Sequence, residues 1–474
     1  MPGKLRFGTD GWRAIVGEDF NLENVSAVAQ AVADYLTEDR KQKTENRKIA
    51  VGYDTRRLSK EAAQVISQVL TANKIKVILS DRPLPTQAVS YAVRRYSCSA
   101  GIMVTASHNP ARFNGIKLKG EFGGSVESEL TGKIEQLIFR RQAVKISFAE
   151  GRKKKLLEIR NLVSGYLKFI RAYLKMPLLK QGRFKILVDA MHGTADSYIA
   201  QILKATPIQT TTIHQDFDST FGGVKPEPIA ACLGPAAALI KRRRFALGLA
   251  TDGDADRIAA LDEHGKFISP QQILALLLLH FIRYRKLKGA VVKTIAGTSL
   301  IERIARKHRL PVYETPVGFK HISLLMQTKD ILIGGEEAGG IGFKDYLPER
   351  DGILAGLLLV EMLIAQKKSI SALLKALHQE FGPACYLRRD LRCLAKEKVA
   401  VKTKIAALRR LKNFLGEKIT KIKDYDGLKF YLASGSWILF RLSGTEPLLR
   451  IYAEAQSLSR AKELLKEGRR LVSP

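Results

Sequence analysis

Three carboxylates stand at alternate positions in the segment 251–257, which reads Thr-Asp-Gly-Asp-Ala-Asp-Arg. Charges spaced this closely repel one another strongly unless a cation lies among them, so Asp252, Asp254 and Asp256 predict a divalent metal site. An arginine, Arg257, follows directly behind them. The segment therefore indicates phosphate chemistry.

Two other interpretations apply to this segment. The three aspartates, together with Glu263, also match positions 1, 3, 5 and 12 of a calcium-binding EF-hand loop. The sixth position of that loop requires glycine for its sharp turn, and here it is Arg257. The flanking apolar runs are short and suit strands, whereas an EF-hand needs amphipathic helices. An EF-hand is therefore disfavoured, and a solvated acidic turn without metal stays open as the alternative.

A second polar loop follows the apolar run that ends at Val104 and reads Thr-Ala-Ser-His-Asn-Pro over residues 105–110. Loops at the carboxyl ends of strands are where open α/β sheets bind ligands, so we expect Ser107 at the edge of a crevice. A serine hydroxyl is a weak nucleophile that needs a base or a metal to activate it, and His108 and Lys117 are candidate bases. Because Asn and Pro favour turns, an ordinary polar turn is the alternative.

Three further loops combine glycine with charged or hydroxyl side chains. Segment 7–13 (FGTDGWR) sets Arg13, whose fork of donors suits phosphate oxygens, beside glycines that permit tight turns. Segment 334–340 (GGEEAGG) presents carboxylates of the kind that bind sugar hydroxyls. Segment 441–447 (RLSGTEP), with Arg450 beyond it, joins backbone N–H groups, two hydroxyls and arginine in an anion nest. A plain glycine turn is the alternative for each.

The size of the chain predicts several packed domains. It has 474 residues, 46% of them hydrophobic, which at roughly 150 residues per domain gives about three or four domains. The N-terminus lacks the apolar core of a signal peptide, and the apolar runs are shorter than the ~20 residues that span a bilayer. We therefore expect a cytoplasmic protein with no membrane partner. The spacing of the four cysteines matches no zinc motif, which predicts buried, reduced thiols.

The formal net charge of +33 raises nucleic acid or an acidic membrane surface as a possible partner. The basic clusters are scattered, however, and no aromatic-rich RNA-binding signature or helix-turn-helix pattern accompanies them. We therefore expect no specific nucleic-acid partner. A general preference for lysine, or attraction of an anionic substrate, accounts for the charge equally well.

Apolar runs that suit strands alternate with helix-length amphipathic stretches, which favours α/β layers. The predicted strands are Lys48–Tyr53, Ile75–Leu79, Gly101–Val104, Phe184–Val188, Ala246–Ala250, Ala290–Lys293 and Ile331–Gly334. A basic linker is predicted at Arg140–Lys155 and a helix at Leu156–Leu174. After Phe381 a charged helix, close-set strands and a last helix predict an α+β unit. The predicted domains are 1–150, 151–257, 258–380 and 381–474.

Taken together, in this order and at these separations, four loops resemble those of the α-D-phosphohexomutases, specifically the phosphoglucomutase/phosphomannomutase group. The loops are 105–110, 252–257, 335–340 and 441–447. Supporting stretches lie at 51–56, 189–193, 315–320 and 437–454. The likeness covers nearly the whole chain. It favours a fold of three similar α/β/α domains plus a smaller C-terminal α+β domain around one central cleft.

The resemblance implies a role for each loop. Ser107 would be a phosphoserine whose phosphate completes a Mg²⁺ site with the three aspartates, and a hexose 1,6-bisphosphate would act as activator and intermediate. The implied catalytic residues are Ser107, His108, Lys117 and Arg13. The implied substrate-binding residues are Thr9, Arg257, Lys320, Glu336, Arg441, Ser443, Gly444, Thr445 and Arg450. The implied domain roles, in chain order, are phosphoserine, metal, sugar and phosphate binding.

The expected activity is reversible interconversion of a hexose 1-phosphate and the 6-phosphate by a monomer or homodimer. The sugar loop and Trp12 resemble the glucose-handling branch most, so glucose is the expected hexose. Ala338 stands where the family commonly has serine, and Gly340 where several subfamilies have histidine, so the hexose preference is the part least fixed by the resemblance. A metal-dependent sugar phosphatase, or a non-catalytic protein that binds phosphosugars or other anions, is the alternative.

Overall fold

The computed structural model describes residues 5–38, 47–394, 396–444 and 447–473. These residues form four successive units, each built on one β-sheet. The first three are α/β units with parallel central strands, and the fourth is an antiparallel sheet with helices. The predicted fold class is confirmed.

The first unit is a six-stranded mixed sheet with five helices. Its strands are β1 (Trp12–Ile15), β2 (Lys48–Tyr53), β3 (Lys76–Ser80), β4 (Ala100–Val104), β5 (Phe113–Gly120) and β6 (Leu157–Arg160). Its helices are α1 (Leu22–Glu38), α2 (Ser59–Ala72), α3 (Thr86–Arg95), α4 (Ser128–Leu137) and α5 (Phe148–Lys153). The order is β1-β5-β4-β2-β3-β6, with β2, β3, β4 and β6 parallel and β5 antiparallel to β4. The central strand β2 is almost wholly buried, as expected where helices cover both faces.

The second unit is a five-stranded sheet in which the last two strands reverse direction. Its helices are α6 (Val163–Tyr173), α7 (Met176–Leu179), α8 (Tyr198–Leu203) and α9 (Gly234–Arg243). Its strands are β7 (Lys185–Asp189), β8 (Gln209–Ile213), β9 (Leu247–Thr251), β10 (Ile258–Leu261) and β11 (Phe267–Ile268). The order is β11-β10-β9-β7-β8, with β7, β8 and β9 parallel.

The third unit is a four-stranded sheet in the order β13-β12-β14-β15. Its strands are β12 (Ala290–Thr294), β13 (Val312–Thr315), β14 (Ile331–Gly335) and β15 (Ile341–Phe343). Its helices are α10 (Pro270–Arg283), α11 (Leu300–Lys307), α12 (Phe319–Thr328), α13 (Gly352–Gln366) and α14 (Ile370–Phe381). A capping box between Ser269 and Gln272 starts α10, and Asp351 caps α13. The second and third units share one apolar core.

The fourth unit is an antiparallel sheet in the order β16-β21-β20-β19-β18-β17, with its own core. Its strands are β16 (Cys385–Arg392), β17 (Asn413–Phe414), β18 (Glu417–Lys423), β19 (Leu428–Leu432), β20 (Trp437–Leu442) and β21 (Leu448–Ala455). Its helices are α15 (Lys398–Ala407) and α16 (Leu458–Val472). The fully buried Trp437 and Tyr452 face the third unit, where they cluster with Ile295.

The three α/β units repeat one topological device. In each, a parallel strand is followed by an antiparallel neighbour: β4 by β5, β9 by β10, and β14 by β15. The connecting loops are 105–112, 252–257 and 336–340, which are the serine, aspartate and sugar loops of the sequence prediction. A repeated fold therefore brings three different loops to equivalent edges of three sheets.

Two sequence predictions were wrong in detail. The helix predicted over 156–174 is instead strand β6 followed by α6, because Leu157 and Ile159 pair with β3 and only Asn161, which caps the next turn, starts the helix. The sheets of the first and second units extend to Arg160 and Ile268. The predicted boundaries at 150 and 257 therefore fall between strands of one sheet. The basic composition before Leu157 concealed α5 and the strand behind it.

Two further expectations concern the membrane and the cysteines. In the part of the chain that the structure describes, no helix combines the length and apolar character needed to cross a bilayer. Cys98, Cys232, Cys385 and Cys393 are all free thiols, as predicted, although only Cys98 and Cys393 are buried. The strands β9 and β10 flank the aspartate loop, which rules out an EF-hand there because that motif needs two helices.

Candidate active site

Ser107 lies in the loop between β4 and β5 and is completely buried. Its backbone adopts a left-handed conformation with φ of 52°, which few non-glycine residues adopt. Its N–H donates to Thr105 Oγ1 at 2.9 Å, and its carbonyl accepts from Arg56 Nη2 at 2.5 Å. These bonds maintain an unfavourable backbone conformation, and such strain is concentrated at functional sites.

The aspartate loop lies directly against Ser107. Asp252, Asp254 and Asp256 are completely buried, and one carboxylate oxygen from each lies within 4.8 Å of the others. Ser107 Oγ donates to Asp252 Oδ2 at 2.7 Å. A Cβ on Gly253 would lie 2.6 Å from the Ser107 carbonyl oxygen, so the close approach of the two loops requires glycine there. The predicted nucleophile and the predicted metal ligands therefore share one site.

These carboxylates fit a divalent cation. Among the described residues, Asp254 Oδ1 and Asp256 Oδ1 are buried without a hydrogen-bond partner, although buried polar atoms are normally satisfied. Burial, together with the charges of Asp256 and Asp254, raises the pKa of Asp252 well above its ordinary value, and a bound cation would reverse that shift. A donor set made of oxygens alone suits Mg²⁺.

Lys117, on β5, supplies a positive charge inside this cluster. Its Nζ lies 2.7 Å from Asp254 Oδ2, 2.7 Å from Asp256 Oδ2 and 2.9 Å from Asp10 Oδ2. Burial alone would lower the pKa of Lys117, but the three carboxylates raise it. In this arrangement Lys117 keeps its proton and offsets the repulsion among the carboxylates.

Asp10 organises the cations around the cluster. Its Oδ2 accepts from Arg13 Nη2 at 3.0 Å and from Arg350 Nη2 at 2.5 Å, in addition to Lys117. Burial would raise the pKa of Asp10, but these cations hold it well below its ordinary value. Arg13 Nη1 also donates to Asn109 Oδ1 at 2.6 Å, which joins the 7–13 loop to the serine loop. Thr9, next to Asp10, forms a β-bridge with Gly11 in the same loop.

His108 is a neutral imidazole beside the serine. Its Nδ1 lies 3.4 Å from Ser107 Oγ, and its side chain is almost completely buried. Burial and the guanidinium groups of Arg257 and Arg13 hold the pKa of His108 well below its usual range. Of the two bases proposed from sequence, His108 is therefore the one in a state to accept a proton. Arg257 also lies near the aspartate loop, with Nε 3.9 Å from Asp252 Oδ2.

The sugar loop lies at the same centre through its first carboxylate. Glu336 Oε2 accepts from Arg350 Nη1 at 2.6 Å, and Arg350 Nη2 also lies 2.8 Å from Asp256 Oδ2. Burial raises the pKa of Glu336, although the charge of Arg350 opposes this shift. Lys320, predicted to line the cleft, is half-buried and donates to Ser128 Oγ at 2.5 Å. It thereby links the third unit to the first.

The predicted anion nest lies in the fourth unit. Arg441 Nε donates to both oxygens of Asp426 at 2.9 Å. The carbonyl of Ser443 accepts from Lys398 Nζ at 3.0 Å, and Gly444 is exposed in open space. Thr445 falls outside the described residues. Arginine, a serine and an exposed glycine therefore stand together at the end of β20, as the sequence predicted.

A second set of arginines connects this nest to the aspartate loop. Arg450 faces Arg441 across β20 and β21, and its Nε lies 3.8 Å from Asp390 Oδ2. Asp390 also pairs with Arg388 at 2.9 Å. Arg388 Nη2 in turn lies 3.9 Å from Oε1 of Glu227 in the second unit, and the same oxygen lies 3.8 Å from Arg257 Nη1. Glu227 therefore connects the fourth unit to the aspartate loop.

Asp10, Arg350 and Arg388 line the site but were not among the predicted residues. Asp10 lies inside the quoted 7–13 loop, so its position beside Arg13 was an available signal. Arg350 stands on a loop without a glycine-rich pattern, and Arg388 belongs to a strand with several other charges. For these two arginines the signal is their three-dimensional contacts, which residue spacing does not reveal.

Comparison with known proteins gives a consistent result along the whole chain. It matches the family descriptions "Phosphoglucomutase/phosphomannomutase, alpha/beta/alpha domain I" at residues 4–145, domain II at 164–265, domain III at 269–381, and the C-terminal domain at 394–471. The matched segments follow one another in the order of the four units.

Individual relatives match over their full length. The chain is 29% identical to a phosphoglucomutase/phosphomannomutase of Thermococcus kodakarensis, covering 99% of this chain and 98% of the relative. It is also 29% identical to a phosphoglucosamine/phosphogalactosamine mutase of Sulfurisphaera tokodaii, covering 99% of each. A solved structure from Thermus thermophilus that carries a provisional phosphomannomutase name is 32% identical over 100% of both chains, with a TM-score of 0.87.

Proposed function

The chain belongs to the phosphoglucomutase/phosphomannomutase family, and we propose that it interconverts hexose 1-phosphates and hexose 6-phosphates through a phosphorylated Ser107. One observation carries this proposal: Ser107 Oγ lies 2.7 Å from a carboxylate of a buried aspartate cluster that has two unpartnered oxygens. Phosphoryl transfer needs little more from a protein than an aligned nucleophile and stabilisation of charge.

The proposed cycle uses two transfers in opposite directions. Phosphoserine 107 transfers its phosphoryl group to the free hydroxyl of a bound hexose monophosphate. The bond between phosphorus and Oγ breaks, a bond to the sugar oxygen forms, and the hydroxyl proton passes to a base. His108 is suited to accept that proton because its imidazole is neutral and lies beside Oγ. The bisphosphate then turns around, and its other phosphate returns to Ser107.

Mg²⁺ would be held by Asp252, Asp254, Asp256 and an oxygen of the Ser107 phosphate. When bound, it would neutralise charge on the oxygens of the transferring group. The protein adds positive charge of its own at the same place, because Lys117 and Arg13 both contact Asp10. This electrostatic environment is fixed before substrate arrives, which is the usual source of large rate enhancements.

The units would divide the remaining work. The third would bind the sugar through Glu336 and Lys320. The fourth would hold the phosphate that does not react, through Arg441, Ser443, Gly444, Thr445 and Arg450. Because the substrate binds in two orientations, this distal site must accept the phosphate at either end of the sugar. Glucose is the hexose we propose, although relatives are named for both glucose and glucosamine substrates.

The direct test is isomerisation of glucose 1-phosphate with Mg²⁺ and a trace of glucose 1,6-bisphosphate. The proposal expects glucose 6-phosphate to form, stimulation by the bisphosphate, and no matching release of inorganic phosphate. Stoichiometric phosphate release would instead support a metal-dependent phosphatase. Binding of the sugar phosphate without conversion of any hexose phosphate would support a non-catalytic binding protein.

A further inference from the structure

Arg350 contacts a carboxylate from each of the three α/β units. Its Nη1 donates to Glu336 of the sugar loop at 2.6 Å, and its Nη2 lies 2.5 Å from Asp10 and 2.8 Å from Asp256. The side chain is almost completely buried. A guanidinium held in three charge-assisted contacts is fixed in position and stays charged.

Gly340 provides the space that Arg350 occupies. A Cβ on Gly340 would lie 2.4 Å from Arg350 Cδ and 3.0 Å from Glu336 Oε2. Gly340 is not among the glycines with positive φ, unlike its neighbour Gly339. Its backbone could therefore accept other residues, and the missing side chain is required by Arg350 rather than by the turn.

The two carboxylates of the sugar loop have different partners. Glu336 is paired with the cation of Arg350, whereas Glu337 accepts from two neutral hydroxyls, Thr294 Oγ1 at 2.9 Å and Tyr452 OH at 3.5 Å. Arg350 therefore balances the charge of the carboxylate expected to meet the sugar. A balanced carboxylate still accepts hydrogen bonds from hydroxyl groups, but it attracts a sugar ammonium group much less.

Resting on the mutase activity proposed above, we propose that Arg350 is a specificity-determining positioning residue that tunes Glu336 for neutral hexose phosphates and against the 2-ammonium sugar glucosamine phosphate. The discrimination has an attractive and a repulsive part. Arg350 orients Glu336 toward hydroxyl donors, and its own positive charge disfavours a second cation at the same carboxylate. Repulsion of the wrong ligand is a common route to specificity.

The test compares Arg350→Gln with the charge-retaining control Arg350→Lys. For each protein, kcat/KM is measured on glucose 1-phosphate and glucosamine 1-phosphate at a pH where the amine carries its proton. Arg350→Gln is expected to shift the ratio about tenfold toward glucosamine 1-phosphate, the scale of one charge-assisted interaction. Arg350→Lys is expected to leave the ratio within about twofold of the unmodified protein, since the charge is kept.

Equal losses on both sugars, with an unchanged ratio, would show that Arg350 has only a structural role and would overturn the inference. An equal shift in the Lys and Gln variants would also overturn it, because charge would not be the cause. Gly340→Ala provides a second test if Arg350→Gln does not fold. It should displace Arg350 and move the ratio in the same direction, and an unmoved ratio would count against the inference.

Failure of the inference can be distinguished from failure of the proposed function. If the unmodified protein isomerises neither sugar phosphate, the mutase proposal fails. If it isomerises glucose 1-phosphate while the variants leave the sugar ratio unmoved, only the role of Arg350 is wrong.

Discussion

The buried centre around Ser107 and the distal loop of the fourth unit both lie where anionic groups are expected, yet they are built differently. The centre is completely buried, and contacts among three units hold it: Ser107 to Asp252, and Arg350 to Asp10, Asp256 and Glu336. The distal loop belongs to one unit, is held through Asp426, and ends at the exposed Gly444. A reacting centre needs one fixed geometry, whereas a site that must accept a phosphate from either end of a sugar benefits from an open edge.

The largest expected effect is at the fixed centre. Ser107→Ala should reduce mutase turnover at least about a thousandfold, because it removes the group that carries the phosphoryl. The fold should persist, since the only side-chain donation lost is that to Asp252. Turnover and thermal unfolding are measured together.

Ser67→Ala is the matched control for that variant. Ser67 is a completely buried serine of the same unit whose hydroxyl donates to the Ala63 carbonyl at 2.8 Å. Its substitution should leave turnover near normal. Near-normal turnover of Ser107→Ala would refute the phosphoserine scheme.

The second effect concerns the carboxylates. Asp254→Asn keeps the shape of the side chain but removes its charge, so we expect the Mg²⁺ concentration for half-maximal activity to rise about 10- to 100-fold or more. The control is Asp262→Asn, a buried aspartate of the same unit whose Oδ1 accepts from the N–H groups of His264 and Lys266. A metal requirement that is the same in both variants would remove the aspartate cluster from the account.

The third effect distinguishes the distal loop from the centre. Arg441→Ala should raise KM for the hexose phosphate about 10- to 100-fold, the scale of lost charge-assisted hydrogen bonds, with a smaller change in kcat. The nest binds the unreactive phosphate before and during the reaction, so it contributes to binding more than to the chemical step. The control is Arg409→Ala, an exposed arginine of the same unit paired with Asp424. A fall in kcat with KM unchanged would mean that the two regions do not divide the work in this way.

The smallest effect tests the connection between the two regions. Glu227→Gln removes the charge that faces Arg257 at 3.8 Å and Arg388 at 3.9 Å. Such long, partly exposed pairs contribute little, so KM should change only about two- to fivefold and less at high salt. Glu463→Gln, an exposed partner of Arg460, is the control. A change as large as that of Arg441→Ala would make Glu227 part of the phosphate site itself.

The sequence was most informative where structure is local. The run Lys48–Tyr53 forms β2 with those bounds, and the other six predicted strands of the α/β units match within one residue at each end. Apolar runs bounded by turn residues specify buried parallel strands. The catalytic loops were found because their residues are contiguous and follow such strands. Strand β6 was missed because four residues within a charged segment carry almost no periodic signal.

Contacts between distant segments could not be derived from spacing. Arg350 and Asp10 are 340 residues apart, and Glu227 meets Arg388 across two units. Nothing in the residues around Arg350 indicates its partners, since they come from the other two α/β units as well as its own. The space that Gly340 leaves for Arg350 is likewise a fact of three-dimensional packing. Sequence therefore located the reacting groups, while the structure located the cations that balance them.

The central claim, that Ser107 carries the phosphoryl group between sugars, is tested most directly by peptide mass spectrometry. The protein is incubated with Mg²⁺ and glucose 1,6-bisphosphate, then with excess glucose 1-phosphate. The account predicts one phosphoryl group on the peptide that contains Ser107, absent from Ser107→Ala and lost to the sugar in the second step. A phosphoryl group on another residue, or full turnover while that peptide stays unmodified throughout, would contradict it.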